Sequence, residues 1–228
     1  MEFAYKMDGM IIKSPKGETF DMPAWQDCGW RRITCEKESC PMCGRQKKHR
    51  QKCLNRGLDP DSMEAAMDCV QETFSEVGDM LRTDAARFGV DLNNLEDVKE
   101  TEPPSMESYQ ICAKVMKWRD AVYNLFGEAE SWGDGWQNSE AGQDLSWYAN
   151  LLPVKLYRAL CAKWEMKNDD RGAWVDYIYT KYAVEEILKI IKNSLVSLRG
   201  ELNCRQMNFM FLQSELAEVA KDIEKELG

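Results

Sequence analysis

The sequence predicts a mainly α-helical protein in which an antiparallel bundle of about five helices follows a small N-terminal module that contains β-strands. Two observations predict this class, and a third divides the chain. Apolar residues recur every three or four positions through most of the chain after residue 58, whereas short apolar runs alternate with turn residues before residue 35. Residues 1–58 hold twelve Lys and Arg against seven Asp and Glu, and the remainder holds eighteen against thirty-two. We therefore predict two domains, 1–58 and 59–228.

The composition is that of a folded protein without a membrane span. Hydrophobic residues make up 44% of the 228 positions and charged residues 30%, which supplies both a core and a hydrated surface. No apolar run approaches the roughly 20 residues that cross a bilayer, and the first residues lack a basic stretch followed by a long apolar one. We expect a cytoplasmic protein.

The N-terminal module is predicted to contain short strands joined by turns. Turn residues Met7, Asp8 and Gly9 separate the stretches FAYK and MIIK, and a second turn, PKGE, precedes TFDM. Later in the module, the basic stretch GRQKKHRQKCLNRG has no strand pattern, so we predict a short basic helix there.

The first long helix is predicted to begin near Asp59, because Asp caps free amide groups and Pro60 suits the first helical position. Apolar residues then step by fours and threes until Gly89, with a break at Asp84: Met63, Met67, Val70, Phe74, Val77, Leu81 and Phe88. A polar, acidic linker with two prolines is predicted over about residues 90–104.

Four further helical patterns complete the predicted bundle. They cover about 105–130, a stretch from Leu145 to Trp164 in which Pro153 should introduce a kink, and about 172–199 and 203–227. Each pattern carries an apolar stripe that needs a facing partner, and mainly short loops join them. Antiparallel packing in one bundle satisfies both conditions.

Four cysteines, Cys35, Cys40, Cys43 and Cys53, follow the spacing CX4CX2CX9C. The middle pair belongs to Cys-Pro-Met-Cys-Gly, which resembles the CPxCG knuckle of zinc ribbons and rubredoxins over residues 40–44. The resemblance implies a tight turn that directs two thiolates and backbone amides at one metal ion. Four thiolates satisfy tetrahedral zinc with no open position, as in sites that stabilise a fold. We predict a structural zinc site, with Cys28 or His49 as alternates for Cys35 or Cys53.

An iron–sulfur cluster is the alternative cofactor. The spacing CX4CX2C also resembles the start of a plant-type ferredoxin loop, and thiolates bind both metals. Reduced thiols without a metal are a further interpretation, although five cysteines between Cys28 and Cys53 would be prone to oxidation. The remaining cysteines lie singly in helical patterns and are interpreted as core residues: Cys69, Cys112, Cys161 and Cys204.

A basic run beside the cysteines is the predicted binding surface: Arg45, Lys47, Lys48, Arg50 and Lys52. A metal that fixes this segment would present it to nucleic acid phosphates, with Trp25 and Trp30 able to stack on bases. In the other interpretation the cations contact an acidic protein partner or the acidic bundle predicted over residues 59–228, or they offset the charge of the thiolate site.

No catalytic residue is predicted. The chain has one histidine, so it lacks a Ser-His-Asp arrangement and the Glu-x-x-His pairs of di-iron carboxylate proteins. Glu215, Glu218 and Asp222 share one helix face and resemble half of the carboxylate motif of MazG-type nucleotide pyrophosphatases, which implies magnesium.

We predict a non-enzymatic, metal-stabilised binding or scaffold protein. The alternatives are a magnesium-dependent, all-helical nucleotide pyrophosphatase-like enzyme and an iron–sulfur redox or sensing protein.

Overall fold

The computed structural model describes residues 10–13, 19–33, 35–37, 39–92, 102–129, 135–168, 173–201 and 206–228. The chain divides into two compact units, residues 1–32 with 103–228 and residues 33–102. The described α-helices are α1 (Pro41–Asn55), α2 (Met63–Phe88), α3 (Gln110–Ala129), α4 (Glu140–Asn168), α5 (Ala173–Glu201) and α6 (Gln206–Leu227). These elements confirm the mainly helical class predicted from the sequence.

The first unit begins with a β-hairpin. Strands β1 (Met10–Lys13) and β2 (Thr19–Met22) pair antiparallel, with Met10 opposite Met22 and Lys13 opposite Thr19. The predicted strand FAYK and the predicted turns at residues 7–9 and 15–18 lie outside the described residues. A short 3-10 helix, Ala24–Gly29, follows β2.

Helices α3 to α6 form the bundle of the first unit. Helix α4 packs along α5, α6 contacts α3 and α5, and α3 contacts α4, so the four helices surround one apolar core. The largest fully buried side chains of these helices are Val115, Leu145, Leu152, Leu156, Ile187, Ile191, Leu195, Leu198, Phe209 and Leu227. Helix α4 continues through Pro153, which is buried.

The segment after the hairpin packs into this bundle. Trp30 is 1% exposed, and its indole Nε1–H donates to the Tyr179 hydroxyl at 2.9 Å. The indole of Trp147 donates to the Trp30 carbonyl at 3.1 Å. The Arg32 guanidinium pairs with Asp144 at 2.5 Å. The N-terminal residues up to Arg32 are therefore part of the bundle unit.

The second unit contains α1 and α2. Helix α2 begins at Met63 and not near Pro60, because the Asp59 carboxylate instead accepts the Asp61 backbone N–H at 3.0 Å, within the preceding turn. The cap is Ser62, whose hydroxyl accepts the Ala65 backbone N–H at 3.2 Å. Gly89 ends the helix with a φ of 68°, as expected for glycine.

The predicted boundary at residue 58 falls within this unit, and residues 93–101 of the predicted linker are outside the described ranges.

Candidate metal centre

Four cysteines from residues 28–43 come together in the structure. The Sγ atoms of Cys28, Cys35, Cys40 and Cys43 all lie within 4.8 Å of one another. Those of Cys35 and Cys43 are 3.5 Å apart. Cys28, Cys40 and Cys43 are buried, and Cys35 is partly exposed. Within the described ranges, no other group of three or more Cys, His, Asp and Glu side chains converges in this way.

The start of α1 positions two of these thiols. Cys40 is the residue before the helix, and Pro41 occupies the first helical position, where a missing N–H costs nothing. Cys43 lies almost one turn later, so both side chains are near the N-terminus of α1. The unpaired amides of a helix N-terminus carry partial positive charge, which favours a thiolate over a thiol.

The other two thiols come from the chain before α1. Cys28 is the fifth of the six residues of the 3-10 helix. Cys35 precedes Glu36, which has a φ of 53°, in the left-handed region that non-glycine residues seldom adopt. The ammonium group of Lys47 on α1 donates to the Glu36 carbonyl at 2.8 Å. Helix α1 thereby stabilises the turn next to Cys35.

The Cys43 thiol is harder to ionise than an ordinary thiol. Burial raises the pKa of the Cys43 thiol above its ordinary value, and the neighbouring Cys35 and Cys40 thiols raise it further. The backbone of Glu36 acts in the opposite direction. Sulfur atoms packed this closely become stable thiolates when a divalent cation offsets their mutual repulsion.

The sulfur positions fit a single tetrahedral metal ion. Zinc–sulfur bonds of about 2.3 Å place neighbouring sulfurs about 3.8 Å apart in a tetrahedron. The observed 3.5 Å separation of Cys35 and Cys43 is near this value, and the remaining pairs lie within 4.8 Å. Small side-chain rotations would bring all four thiolates to bonding distance.

Cys53 and His49 are not members of the group. Three of the four predicted ligands, Cys35, Cys40 and Cys43, converge, and the fourth position is taken by the alternate Cys28. Cys43 and Cys53 both lie on α1, and ten residues of helix separate them by about 15 Å, too far for one ion. The Cys53 Sγ instead lies 3.4 Å from Nε2 of His49, and that nitrogen lies 3.0 Å from the Ala65 carbonyl oxygen.

The Cys-Pro-Met-Cys-Gly sequence starts a helix and does not form a separate knuckle turn. The Gly44 N–H donates to the Cys40 carbonyl at 2.7 Å, which is the first hydrogen bond of α1. Pro41 to Gly44 therefore have helical backbone conformation. The two thiols are still directed to one place, because residues three apart on a helix share a face.

The predicted basic surface is largely paired with acidic side chains of α2 and of the turn that precedes it. Arg45 pairs with Glu76 at 2.5 Å, Arg50 pairs with Asp61 at 2.5 Å, and Lys52 pairs with Glu72. Arg56, which the sequence did not single out, pairs with Asp68 at 3.4 Å. Of the predicted binding residues, Lys48 is exposed and has no ion pair within the described part of the chain.

Of the two tryptophans proposed for base stacking, Trp30 is not accessible. Trp30 is buried in the bundle unit, with its indole N–H bonded to Tyr179, so its faces are unavailable to a nucleic acid base. The Trp25 side chain lies outside the described part of the structure.

The carboxylates considered for magnesium lie beside cations. Asp222 pairs with the ammonium group of Lys114 at 2.5 Å, and this hydrogen bond lowers the pKa of the Asp222 carboxyl. The groove that contains Glu215, Glu218 and Asp222 is also lined by Lys117 and Trp118. Lysine charges already offset the carboxylates there, which reduces the attraction for a divalent cation.

No family model, curated protein or solved structure matches this chain. Among the described residues, no helix combines the length and the apolar character that a membrane span requires. The chemistry of the cysteine group is therefore the strongest indication of what the protein binds.

Proposed function

We propose that Cys28, Cys35, Cys40 and Cys43 bind one structural zinc ion, and that the protein is a non-enzymatic, metal-stabilised scaffold or binding protein. The observation that carries this proposal is the convergence of four sulfur atoms within 4.8 Å. Four thiolates fill a tetrahedral zinc site and leave no position for a substrate or an activated water. Such a site contributes to folding and not to turnover.

Zinc is favoured over an iron–sulfur cluster by the spacing of the sulfurs. A cluster places several iron and sulfide atoms among its cysteine ligands, so those ligands must stand farther apart than the ligands of a single ion. Sulfur separations within 4.8 Å support one ion over a cluster. A single iron in the same four thiolates is the remaining metal alternative, since thiolates bind iron as well as zinc.

The zinc ion would fix the conformation of residues 28–43. Among the described residues of this segment, regular structure is limited to the end of the 3-10 helix and the start of α1, and few backbone hydrogen bonds are formed. Binding energy from a structural zinc site becomes folding energy, because the thiols are not prearranged in the unfolded chain. The metal would thereby fix the start of α1.

The basic residues of α1 would then act mainly within the chain. Arg45, Lys52 and Arg56 pair with acidic side chains of α2, and Lys47 bonds the Glu36 carbonyl. Nucleic acid could reach most of these cations only by displacing their existing partners. The partners lie within the acidic residues 59–228, so the ion pairs support the interpretation that the cations contact this part of the same chain.

Elemental analysis of the purified protein, together with its visible spectrum, tests the metal proposal. We expect one equivalent of zinc and a colourless solution. Absorption near 400 nm from iron–sulfur chromophores would contradict it, as would a red solution from one ferric ion.

Substitutions test the ligand set. A Cys28→Ser variant should lose zinc, whereas Cys53→Ser and the matched control Cys69→Ser should retain it. Loss of zinc from Cys53→Ser but not from Cys28→Ser would refute the assigned ligand set.

A further inference from the structure

Helix α2 exposes a continuous apolar stripe. Its members step alternately by four and three residues: Met63, Met67, Val70, Phe74, Val77, Leu81 and, after Asp84, Phe88. All seven are exposed, with exposed fractions of 73% for Phe74 and 72% for Phe88. We call these seven residues and Asp84 the α2 seam.

The seam has the periodicity of a coiled coil. Alternating steps of three and four residues define the a and d positions of a heptad repeat, and eight consecutive positions of this kind span four heptads. Seven of the eight are apolar. A helix that packs into a globular core more often shows a wider, less regular stripe. This pattern indicates that the partner of α2 is another long helix.

Helix α1 contacts a different face of α2. Its ion pairs reach Asp68, Glu72 and Glu76, and His49 contacts the Ala65 backbone. In the heptad defined by the seam these α2 residues occupy b, c and f positions, which face away from a coiled-coil partner. The basic helix therefore covers the polar side of α2 and leaves the seam exposed.

The structure assigns the α2 seam to an antiparallel coiled coil with α2 of a second copy of this chain. The exposed area supports a dimer of this kind, because the seam and the neighbouring Met80 present roughly 900 Å² of apolar surface, near the 800 Å² per partner of a specific interface. A self-complementary surface is what a two-fold symmetric dimer requires.

Asp84 determines the orientation of the two helices. In a parallel pair each d residue faces the same residue of its partner, so two Asp84 carboxylates would oppose each other inside the seam. An antiparallel pair centred between Ser75 and Glu76 instead places Asp84 against Met67 of the second copy. It also places Val70 against Leu81, and Phe74 against Val77, so the central layers are entirely apolar.

Sedimentation equilibrium of the full-length protein, with its metal content unchanged, tests this proposal. We expect a dimer at micromolar concentration. Val70→Lys should raise the dissociation constant by about a hundredfold or more, because two lysines then enter apolar layers. The matched control Ser75→Lys, on the polar side of α2, should leave it unchanged. Circular dichroism should show equal helix content in all variants, since the seam is exposed in the single chain.

A second substitution tests the orientation. In the antiparallel pair, Met67→Lys places each lysine beside Asp84 of the other copy, so this variant should remain dimeric. In a parallel pair the two lysines would face each other, and Met67→Lys would dissociate like Val70→Lys. Dissociation of both variants would overturn the antiparallel arrangement.

A wild-type monomer at all concentrations, or a dimer unaffected by Val70→Lys, would overturn the proposed interface. Because the metal content is measured separately, each of these outcomes is independent of the zinc proposal.

Discussion

Trp30 and Tyr179 are joined by a buried hydrogen bond of 2.9 Å, although 149 residues separate them in the chain. The Tyr179 hydroxyl in turn donates to a carboxylate oxygen of Asp27 at 3.2 Å. Asp27 and Trp30 stand on either side of Cys28, one of the four proposed ligands. The bundle core therefore fixes the backbone around this cysteine.

A Tyr179→Phe variant tests the contribution of this contact to stability. Removing the hydroxyl leaves the buried indole N–H of Trp30 without its acceptor, so we expect the free energy of unfolding to fall by about 1–3 kcal/mol. Urea denaturation monitored by tryptophan fluorescence measures the change. The matched control Tyr123→Phe alters an exposed tyrosine and should cost less. Equal losses in the two variants would refute a special role for Tyr179.

Stability should also fall at alkaline pH. Burial raises the pKa of the Cys112 thiol to about 11, and burial raises the pKa of the Tyr179 hydroxyl beyond its usual range. The unfolded chain releases these protons at lower pH than the folded protein does. Above about pH 9 for Cys112 and about pH 10 for Tyr179, the unfolded state therefore binds fewer protons, and the free energy of unfolding falls by about 1 kcal/mol per pH unit for each group.

Urea denaturation from about pH 8 to about pH 10.5 measures this decline. A Cys112→Ala variant should lose stability at every pH, because it shortens a buried side chain, but its pH dependence should be shallower than that of the wild type. Parallel curves for the variant and the wild type would show that the Cys112 thiol does not account for the slope.

Reversing the charge of Lys52 should weaken the association of α1 with α2. Lys52 pairs with Glu72, and this hydrogen bond lowers the pKa of the Glu72 carboxyl. The pair therefore stabilises the folded state above the ordinary carboxyl pKa and loses this effect as pH falls through the lowered value. We expect Lys52→Glu to lower the melting temperature slightly, since exposed ion pairs contribute little.

The double variant Lys52→Glu, Glu72→Lys should recover most of this loss at neutral pH, because it restores opposite charges. Lys48→Glu is the control, since Lys48 makes no ion pair within the described residues. If the double variant is no more stable than Lys52→Glu alone, the pair does not form in solution.

The ion pairs on α1 also predict weak nucleic acid binding. A cation must leave its carboxylate before it can neutralise a phosphate, so affinity for RNA or DNA oligonucleotides should be low even at reduced ionic strength. Fluorescence anisotropy against salt concentration measures it, and we expect a shallow dependence. A steep decrease with salt, abolished by reversing Lys47, Lys48 and Arg50 together, would contradict this expectation and favour a nucleic acid interface.

The helices were predictable from the sequence because helix formation depends on neighbours three and four residues away. The periodic pattern from Met63 to Phe88 and the glycine at position 89 predicted α2 almost to its last residue. The pattern did not show what covers the apolar stripe. The residues of that stripe are exposed in the structure.

The ligand set was only partly predictable because sequence spacing does not give distances in space. Cys40 and Cys43 are close for a local reason, since a helix begins between them. The basic helix predicted from the sequence already contains Cys53, and because α1 begins as early as Pro41 it holds Cys53 about 15 Å from Cys43. The assignment of Cys28 depends on contacts of Trp30 with residues far along the chain, which a single sequence does not reveal.

X-ray absorption at the zinc edge of the purified protein tests the central claim most directly. The four converging thiols predict a single shell of four sulfur atoms at about 2.3 Å from zinc, with no nitrogen ligand. This shell should lose one sulfur in Cys28→Ser if any metal remains, and it should be unchanged in Cys53→Ser. A nitrogen at about 2.0 Å would place His49 among the ligands and contradict the proposed site, as would protein purified without bound metal.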